Sequence, residues 1–498
     1  MSGPGGIDGG IFVGRDEATG RAAALDVQLQ RLADMGADRA LAIASRAIRF
    51  DWREGNADLL AQAKADPRLV PVANVNLPGY APGEGLARHL RAQGFAAVAL
   101  VSDAMGWGLH GPALRALAIE AAEARLPLML CAQTAADFQG VGAAAAVGGP
   151  VLLRWMRAHA YFRLADMIAL MRDHPALMLE VGSQSQTGAI ADLVSRVGDD
   201  RLFIASGDPQ AHAGPGWFML VAADLDADAK LRIAGGNLAR VLGLAAPQRY
   251  RVPTAYAVLQ AAPKIDTHWH TSSWNLIETK TSFADLKALA DRAGIATYIS
   301  SSVRALSDDL EAGNAETKAL LDFDARARGM IVVNPLRFEA SLAEIERYSG
   351  DPRFVGIKTI QDFYGLDLDA EPYRALFAAL GSRSDFPIMA HLPGLKAAAT
   401  RFPHLRFVAA HSTWNHRDLV ACPNVWFDIA TSSPRAAEAD IADLVAIAGP
   451  ARVLFSSDAP LIDPAWTMGK LACAGLSPEA LETIFVRSVR AAFPRLAT

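Results

Sequence analysis

The heptapeptide Lys264-Ile265-Asp266-Thr267-His268-Trp269-His270 follows Pro263 near the middle of a 498-residue chain. It sets two histidines one residue apart at the end of a short β-friendly run. In a strand, residues i and i+2 point to the same side, so His268 and His270 present two imidazoles to one point, about 7 Å apart along the backbone. Neutral imidazoles at a strand end suit zinc or a similar divalent ion. Two unrelated core or surface histidines are the alternative, and residues further along decide between the two readings. His391 closes the run Phe386–Ala390, His411 closes Leu405–Ala410, and Asp458 follows Val453–Ser457. Each of these alone reads more readily as a loop or helix-cap residue. Four polar strand ends in this order point to a shared site. Lys358, on the apolar run Phe354–Ile360, belongs with them because an unpaired ammonium there would be costly.

Such a site needs many strand ends facing one mouth. In the first half, runs such as Ala40–Ala44, Leu69–Val75, Ala96–Val101, Leu126–Cys131, Leu177–Val181 and Leu202–Ala205 read as buried strands. Ala22–Met35, Leu114–Ala124, Arg163–Arg172 and Gly188–Val197 between them have helical spacing. The second half repeats the alternation with Thr297–Ser301, Met330–Val333, Val355–Ile360, Pro387–His391, Arg406–Ala410, Val425–Asp428 and Val453–Ser456. Parallel strands covered by helices follow from such alternation. The fold class is α/β, expected as two tandem (β/α)8 TIM-barrel-like domains, in which catalytic groups sit at the C-terminal ends of strands. A doubly wound sheet is the competing topology.

The halves also match residue by residue. Ile7-Asp8 corresponds to Ile265-Asp266 and Gly55-Asn56-Ala57 to Gly313-Asn314-Ala315, both at an offset of 258. Asp103 corresponds to Asp362, Cys131 to His391 and His159 to His411, with small gaps between. A tandem duplication is therefore expected. Its parts are a barrel over 1–244, a linker over 245–262 punctuated by prolines, and a barrel over 263–498. Where the second copy has His268, His270, Lys358 and His391, the first has Gly10, Phe12, Ala99 and Cys131. It keeps His159, and its Asp208 is displaced by one residue. This is too little for a metal site, so the first barrel is expected to be non-catalytic.

A hydrophobic content of 51% and a charged content of 20% describe a globular protein with well-buried elements. The net charge of −5 with no basic run disfavours nucleic acid and anionic membranes as partners. Three scattered cysteines suit a reducing compartment. The N-terminus lacks the charged and apolar regions of a signal peptide, and the glycine-broken run Val141–Leu153 is too short to span a bilayer. A cytoplasmic location is expected.

Asp-x-His-x-His at the first strand, His after the fifth, His after the sixth and Ser-Asp-x-Pro after the eighth resemble the amidohydrolase superfamily, in particular its amidohydrolase-related branch of metal-dependent TIM barrels. The resemblance spans the second copy and, in degraded form, the first. Leu231–Arg240 resembles the branch's closing Gly-Asn turn, which Val486-Arg487-Ser488 replaces in the second copy. The resemblance implies that His268, His270 and Asp458 bind one divalent metal, zinc foremost and manganese as the alternative, with His391 a further ligand. His411 would hydrogen-bond the water or the substrate, and Asp458 would also orient the water and accept its proton. A divalent ion can bring water's pKa down to about 7 and polarise a carbonyl. Lys358 is read as a substrate-binding or ion-paired group ahead of a metal-bridging carbamate. Trp269, Trp274, Arg304, Tyr364 and Trp414 are candidates for substrate binding, beside Asp362. The expected activity is metal-dependent hydrolysis of a C–O or C–N bond in a small molecule such as a lactone, ester or amide. A carboxy-lyase or hydratase of the same branch is the alternative, and a non-catalytic binding module the alternative of another class. The two barrels are expected to pair as an intramolecular pseudo-dimer, with homo-oligomerisation left open.

Overall fold

The computed structural model describes all residues except 1–3, 18, 103–105, 158–159, 275–281, 382, 384, 434, 436–439 and 497–498, and the side chains of 161, 414 and 415. The chain divides into two compact units, Met1–Tyr256 with Ser433–Ala437, and Ala257–Ser432 with Glu438–Thr498. The first contains strands β1 (Gly6–Val13), β2 (Ala37–Ala44), β3 (Leu69–Asn74), β4 (Ala97–Val101), β5 (Leu128–Ala132), β6 (Val151–Trp155), β7 (Leu177–Glu180) and β8 (Leu202–Phe203). The second contains β9 (Ile265–Thr271), β10 (Thr297–Ser302), β11 (Ala327–Val332), β12 (Phe354–Lys358), β13 (Ile388–Ala390), β14 (Phe407–Ala409), β15 (Val425–Asp428) and β16 (Val453–Leu454). Each sheet has eight strands in chain order. Helices lie between successive strands, and the architecture is two tandem (β/α)8 barrels. Among the described residues no helix is long and apolar enough to cross a membrane.

Backbone hydrogen bonds bring the first and last strands of each barrel together in the same register. In the first barrel Gly9 N donates to Ile204 O at 2.7 Å, Gly207 N to Gly10 O at 2.9 Å, and Phe12 N to Asp208 O at 2.8 Å. In the second, Thr267 N donates to Phe455 O at 3.1 Å, Asp458 N to His268 O at 2.9 Å, and His270 N to Ala459 O at 2.8 Å. A buried carboxylate ties each seam. Asp8 Oδ1 accepts from Gly10 N at 2.9 Å and Ser206 N at 3.1 Å. Asp266 Oδ1 accepts from His268 N at 3.2 Å and Ser457 N at 3.0 Å.

Further features recur at matching positions. The Asn56 amide bridges the backbone of Asn74, and that of Asn314 bridges Val332. Gly55 and Gly313 leave no room for a Cβ, which would lie 2.3 Å from Ala47 N and 2.1 Å from Ala305 N respectively. The closing turn is also kept in both units, as π-type turns at Arg232–Gly236 and Thr483–Arg487. In the second barrel the Ser488 hydroxyl reaches Val453 O at 2.6 Å, where the Asn237 amide reaches Leu202 O at 2.8 Å in the first. Replacing Gly-Gly-Asn thus changes the bonding group and preserves the turn.

The barrel interiors are filled by alternate strand residues. Ile7, Leu41, Val72, Met129, Leu152, Met178 and Phe203 fill the first, and Ile265, Ile299, Met330, Val355, Met389, Val408 and Leu454 the second. Two elements differ from the sequence reading. β6 falls where the pattern suggested only a broken apolar run. The expected linker contains the helix Thr254–Ala261, whose carbonyls at Leu259 and Gln260 receive the buried Lys264 ammonium at 2.7 and 2.9 Å.

Candidate functional site

β9 carries a bulge between its pairings with Tyr298 and Ser300 of β10, at the point where its histidines begin. Such bulges re-aim side chains near sites. His268 and His270 both turn inward, their ring centroids 5.0 Å apart. Trp269 lies on the opposite side of the strand, fully buried, with its ring 4.5 Å from that of Tyr298. Strand alternation thus takes Trp269 away from the site it was expected to line.

Asp458 follows β16 and reaches the histidines with Oδ1 at 3.1 Å from His270 Nε2 and 3.5 Å from His268 Nε2. Its backbone has φ +69°, and that of His411 has φ +56°. This left-handed region is uncommon for non-glycine residues and concentrates at functional sites. One donor atom from each of His268, His270 and Asp458 lies within 4.8 Å of the other two, and so do donor atoms of His268, His411 and Asp428. His391 belongs to neither group. Its ring lies edge-on to His411 with centroids 5.1 Å apart, and its Nδ1 faces Asp362 Oδ2 at 2.7 Å.

The outer partners fix the proton positions. His268 Nδ1 lies 2.6 Å from Asp428 Oδ2, His270 Nδ1 3.2 Å from Ser301 O, and His411 Nδ1 2.5 Å from Ala430 O. These oxygens only accept, so each Nδ1 carries the hydrogen and each Nε2 an exposed lone pair. His270 Nε2 and Asp458 Oδ1 are then two acceptors facing each other, an arrangement that a cation or a proton between them satisfies. The donor set therefore fits a divalent metal.

Burial, reinforced by the Lys358 charge, holds His268 well below its ordinary pKa, and burial with neighbouring His411 takes His391 down to about 2. Both are neutral and able to act as ligands at pH 7. Burial would raise Asp458, but positive charge at the surrounding imidazoles, His268 foremost, takes it to about 2, a charge that a bound cation would supply where the rings are neutral. Burial lowers Lys358 to about 8 against the pull of Asp458 and Asp428. Its Nζ lies 2.9 Å from His268 Nε2.

Asp428 is the residue the sequence reading missed. It is fully buried at the C-terminal end of β15, with its other oxygen accepting from Ser456 Oγ at 2.8 Å and Ala430 N at 2.7 Å. Its signal was the same as for the proposed ligands, a polar residue closing an apolar run. Trp274 stands edge-on to His270 at 6.3 Å and to Phe363 at 6.0 Å. The Tyr364 hydroxyl donates to Leu306 O at 3.3 Å. Arg304 is solvent-exposed and ion-paired with Asp308 at 3.4 Å, one helical turn on, which draws it to the surface. The Trp414 side chain lies outside the described residues, as do His159 and Asp103 of the first barrel. Asp208 is turned away from the barrel centre and paired with Arg31 at 2.9 Å, while Gly207 holds the register position of Asp458.

The second barrel is thus a TIM barrel with histidine and aspartate donors gathered at strand ends. Residues 265–494, within the second barrel, match the amidohydrolase family model. No curated protein matches the sequence. Among solved structures, the chain is similar to a 2,6-dihydroxybenzoate decarboxylase from Rhizobium, at 17% identity and a TM-score of 0.37 over 47% of this chain and 99% of the other. A protein from Pseudomonas putida assigned as a 2-pyrone-4,6-dicarboxylic acid hydrolase matches at 17% identity and a TM-score of 0.39, over 48% of this chain and 97% of the other. A manganese-bound 5-carboxyvanillate decarboxylase from Novosphingobium aromaticivorans matches at 15% identity and a TM-score of 0.36, over 47% and 98%.

Proposed function

We propose that the second barrel is a metal-dependent hydrolase acting on a C–O or C–N bond of a small molecule such as a lactone, ester or amide. The observation that carries this reading is the convergence of donor atoms from His268, His270 and Asp458 within 4.8 Å of one another. These three residues would hold one divalent ion, zinc foremost and manganese as the alternative, with His391, edge-on to His411, as a further ligand. When bound, the ion supplies Lewis acidity and makes water a nucleophile near neutral pH.

The chain's own groups do the rest. Asp458, anionic at neutral pH, accepts the proton that the attacking water loses and delivers it to the leaving group. Asp428 holds the His268 ring in the tautomer that points Nε2 inward. His411, fixed through Ala430 O, offers Nε2 to hydrogen-bond the substrate or the water. Trp274 and Tyr364 wall the mouth.

A carboxy-lyase is the second reading. Lys358, fully buried beside the donor set, favours it as a counter-charge for a substrate carboxylate. We further propose that the barrels arose by duplication, supported by the matching seams at Asp8 and Asp266, and that the first barrel is non-catalytic.

Elemental analysis of the purified protein and of a His268→Ala/His270→Ala variant tests the metal reading. About one zinc or manganese per chain, lost in the variant, is the expected result. No metal in either protein after metal is supplied would overturn it in favour of a binding module. Screening lactones, amides and aromatic carboxylates for ring opening or carbon dioxide release separates hydrolase from lyase.

A further inference from the structure

The matched seams give the first barrel's equivalents of the metal-site residues. Gly10 stands at the position of His268, Phe12 at that of His270, and Gly207 at that of Asp458. Two of the three have no side chain. The vacated volume is taken by Arg154, which rises from β6 and is 3% exposed. A Cβ on Gly10 would lie 2.2 Å from Arg154 Nη1, and one on Gly207 3.6 Å from Nη2. The guanidinium also lies 5.7 Å from the centre of the Phe12 ring. The centre of the first barrel therefore holds a fixed positive charge in the place of the second barrel's donor cluster.

Among the described residues that charge lacks a full set of partners. Nη2 makes one long contact, 3.4 Å to Gly10 O, while Nε and Nη1 are buried and meet no hydrogen-bond partner among the described residues. Glu180, at the end of β7, feels the Arg154 charge, yet its Oε1 accepts from Ser183 N at 3.1 Å. An unpartnered buried N–H is expensive, more so on a charged group. The loops that follow β5 and β7 add further buried oxygens without partners among the described residues, Gln133 Oε1, Ser183 Oγ, Gln184 Oε1 and Ser185 Oγ. In a (β/α)8 barrel these loops ring the same mouth as the end of β6. A guanidinium fork matches a carboxylate, and neighbouring hydroxyls and amides can receive a ligand's own polar groups.

We propose that the mouth of the first barrel binds a small organic carboxylate, with Arg154 as its anchor. The barrel that lost its metal donors becomes an anion receptor, independent of the chemistry of the second barrel.

The test is calorimetric titration of the full-length His268→Ala/His270→Ala/Lys358→Met protein, which lacks the second barrel's histidine donors and its buried ammonium, with benzoate, glutarate, neutral benzamide and sodium chloride. Benzoate or glutarate is expected to bind at one site per chain, benzamide not to bind, and Arg154→Met to weaken binding at least tenfold with an unchanged circular dichroism spectrum. Gly10→Ala, whose methyl would displace the guanidinium, is expected to weaken binding as well and serves if Arg154→Met does not fold. Three results would overturn the proposal: no carboxylate binding, binding unchanged by either variant, or displacement of the carboxylate by chloride at equal concentration, which would mark a site for inorganic anions.

Discussion

Lys358 Nζ lies 2.9 Å from His268 Nε2, the nitrogen that the Asp428 contact leaves facing Asp458. An ammonium and a divalent cation cannot both use that lone pair, and at short range in a protein they repel by a few kcal/mol. Lys358→Met should therefore retain one metal per chain and bind it about tenfold more tightly, as read by competition with a chromogenic chelator. Its turnover of carboxylated substrates should fall, since the counter-charge is gone. Loss of metal in the variant would instead make Lys358 a ligand or a bridge.

Asp428 acts on the metal through His268. With Oδ2 at 2.6 Å from Nδ1, it fixes the ring and makes it a better donor. Removing such an outer partner typically costs 10- to 100-fold in metal affinity or activity. Asp428→Asn should show a loss of that size in chelator competition while the protein remains folded. An unchanged affinity would reduce Asp428 to a link between β15 and Ser456.

The carboxylates of Asp8 and Asp266 give a control pair. Each accepts backbone N–H groups across its own barrel seam, so each asparagine substitution leaves a buried acceptor or donor mismatched, at about 1–3 kcal/mol. Asp8→Asn should lower the denaturation midpoint in urea without altering metal content. A loss of metal on that substitution would contradict the separation of the two barrels' roles.

Much of this was legible because barrel function concentrates at strand ends. His268, His270 and Asp458 each terminate an apolar run, and parallel strands bring such ends together. The alternation that turns His268 and His270 inward turns Trp269, the residue between them, outward against Tyr298. Asp428 closes its run as plainly as Asp458 does, but an acid after a strand is also an ordinary loop residue, and only the His268 contact distinguishes it. Arg154 was invisible. β6 begins directly after Gly148-Gly149-Pro150 and follows the alanine-rich helix Asp137–Ala145, so its apolar pattern merges with the helix before it. Nothing in composition indicates that a guanidinium will fill the space two glycines leave on other strands.

Glu180 provides a pH-dependent measurement of that buried centre. Burial raises its pKa to about 7, with the Arg154 charge working the other way. The unfolded chain titrates near 4.5, so between these values the folded state holds a proton that the unfolded state has released. Stability is then full below about 4.5 and declines as pH rises to about 7, by about 3 kcal/mol in total. Glu180→Gln cannot ionise and should show a flatter urea-denaturation profile over that range. A carboxylate bound at Arg154 would compete with the Glu180 anion for the same positive charge. Benzoate should therefore stabilise the wild-type chain more at pH 6 than at pH 8, and equally at both in Glu180→Gln. A wild-type profile no steeper than that of Glu180→Gln would mean that Glu180 is ionised throughout, its charge fully met by Arg154.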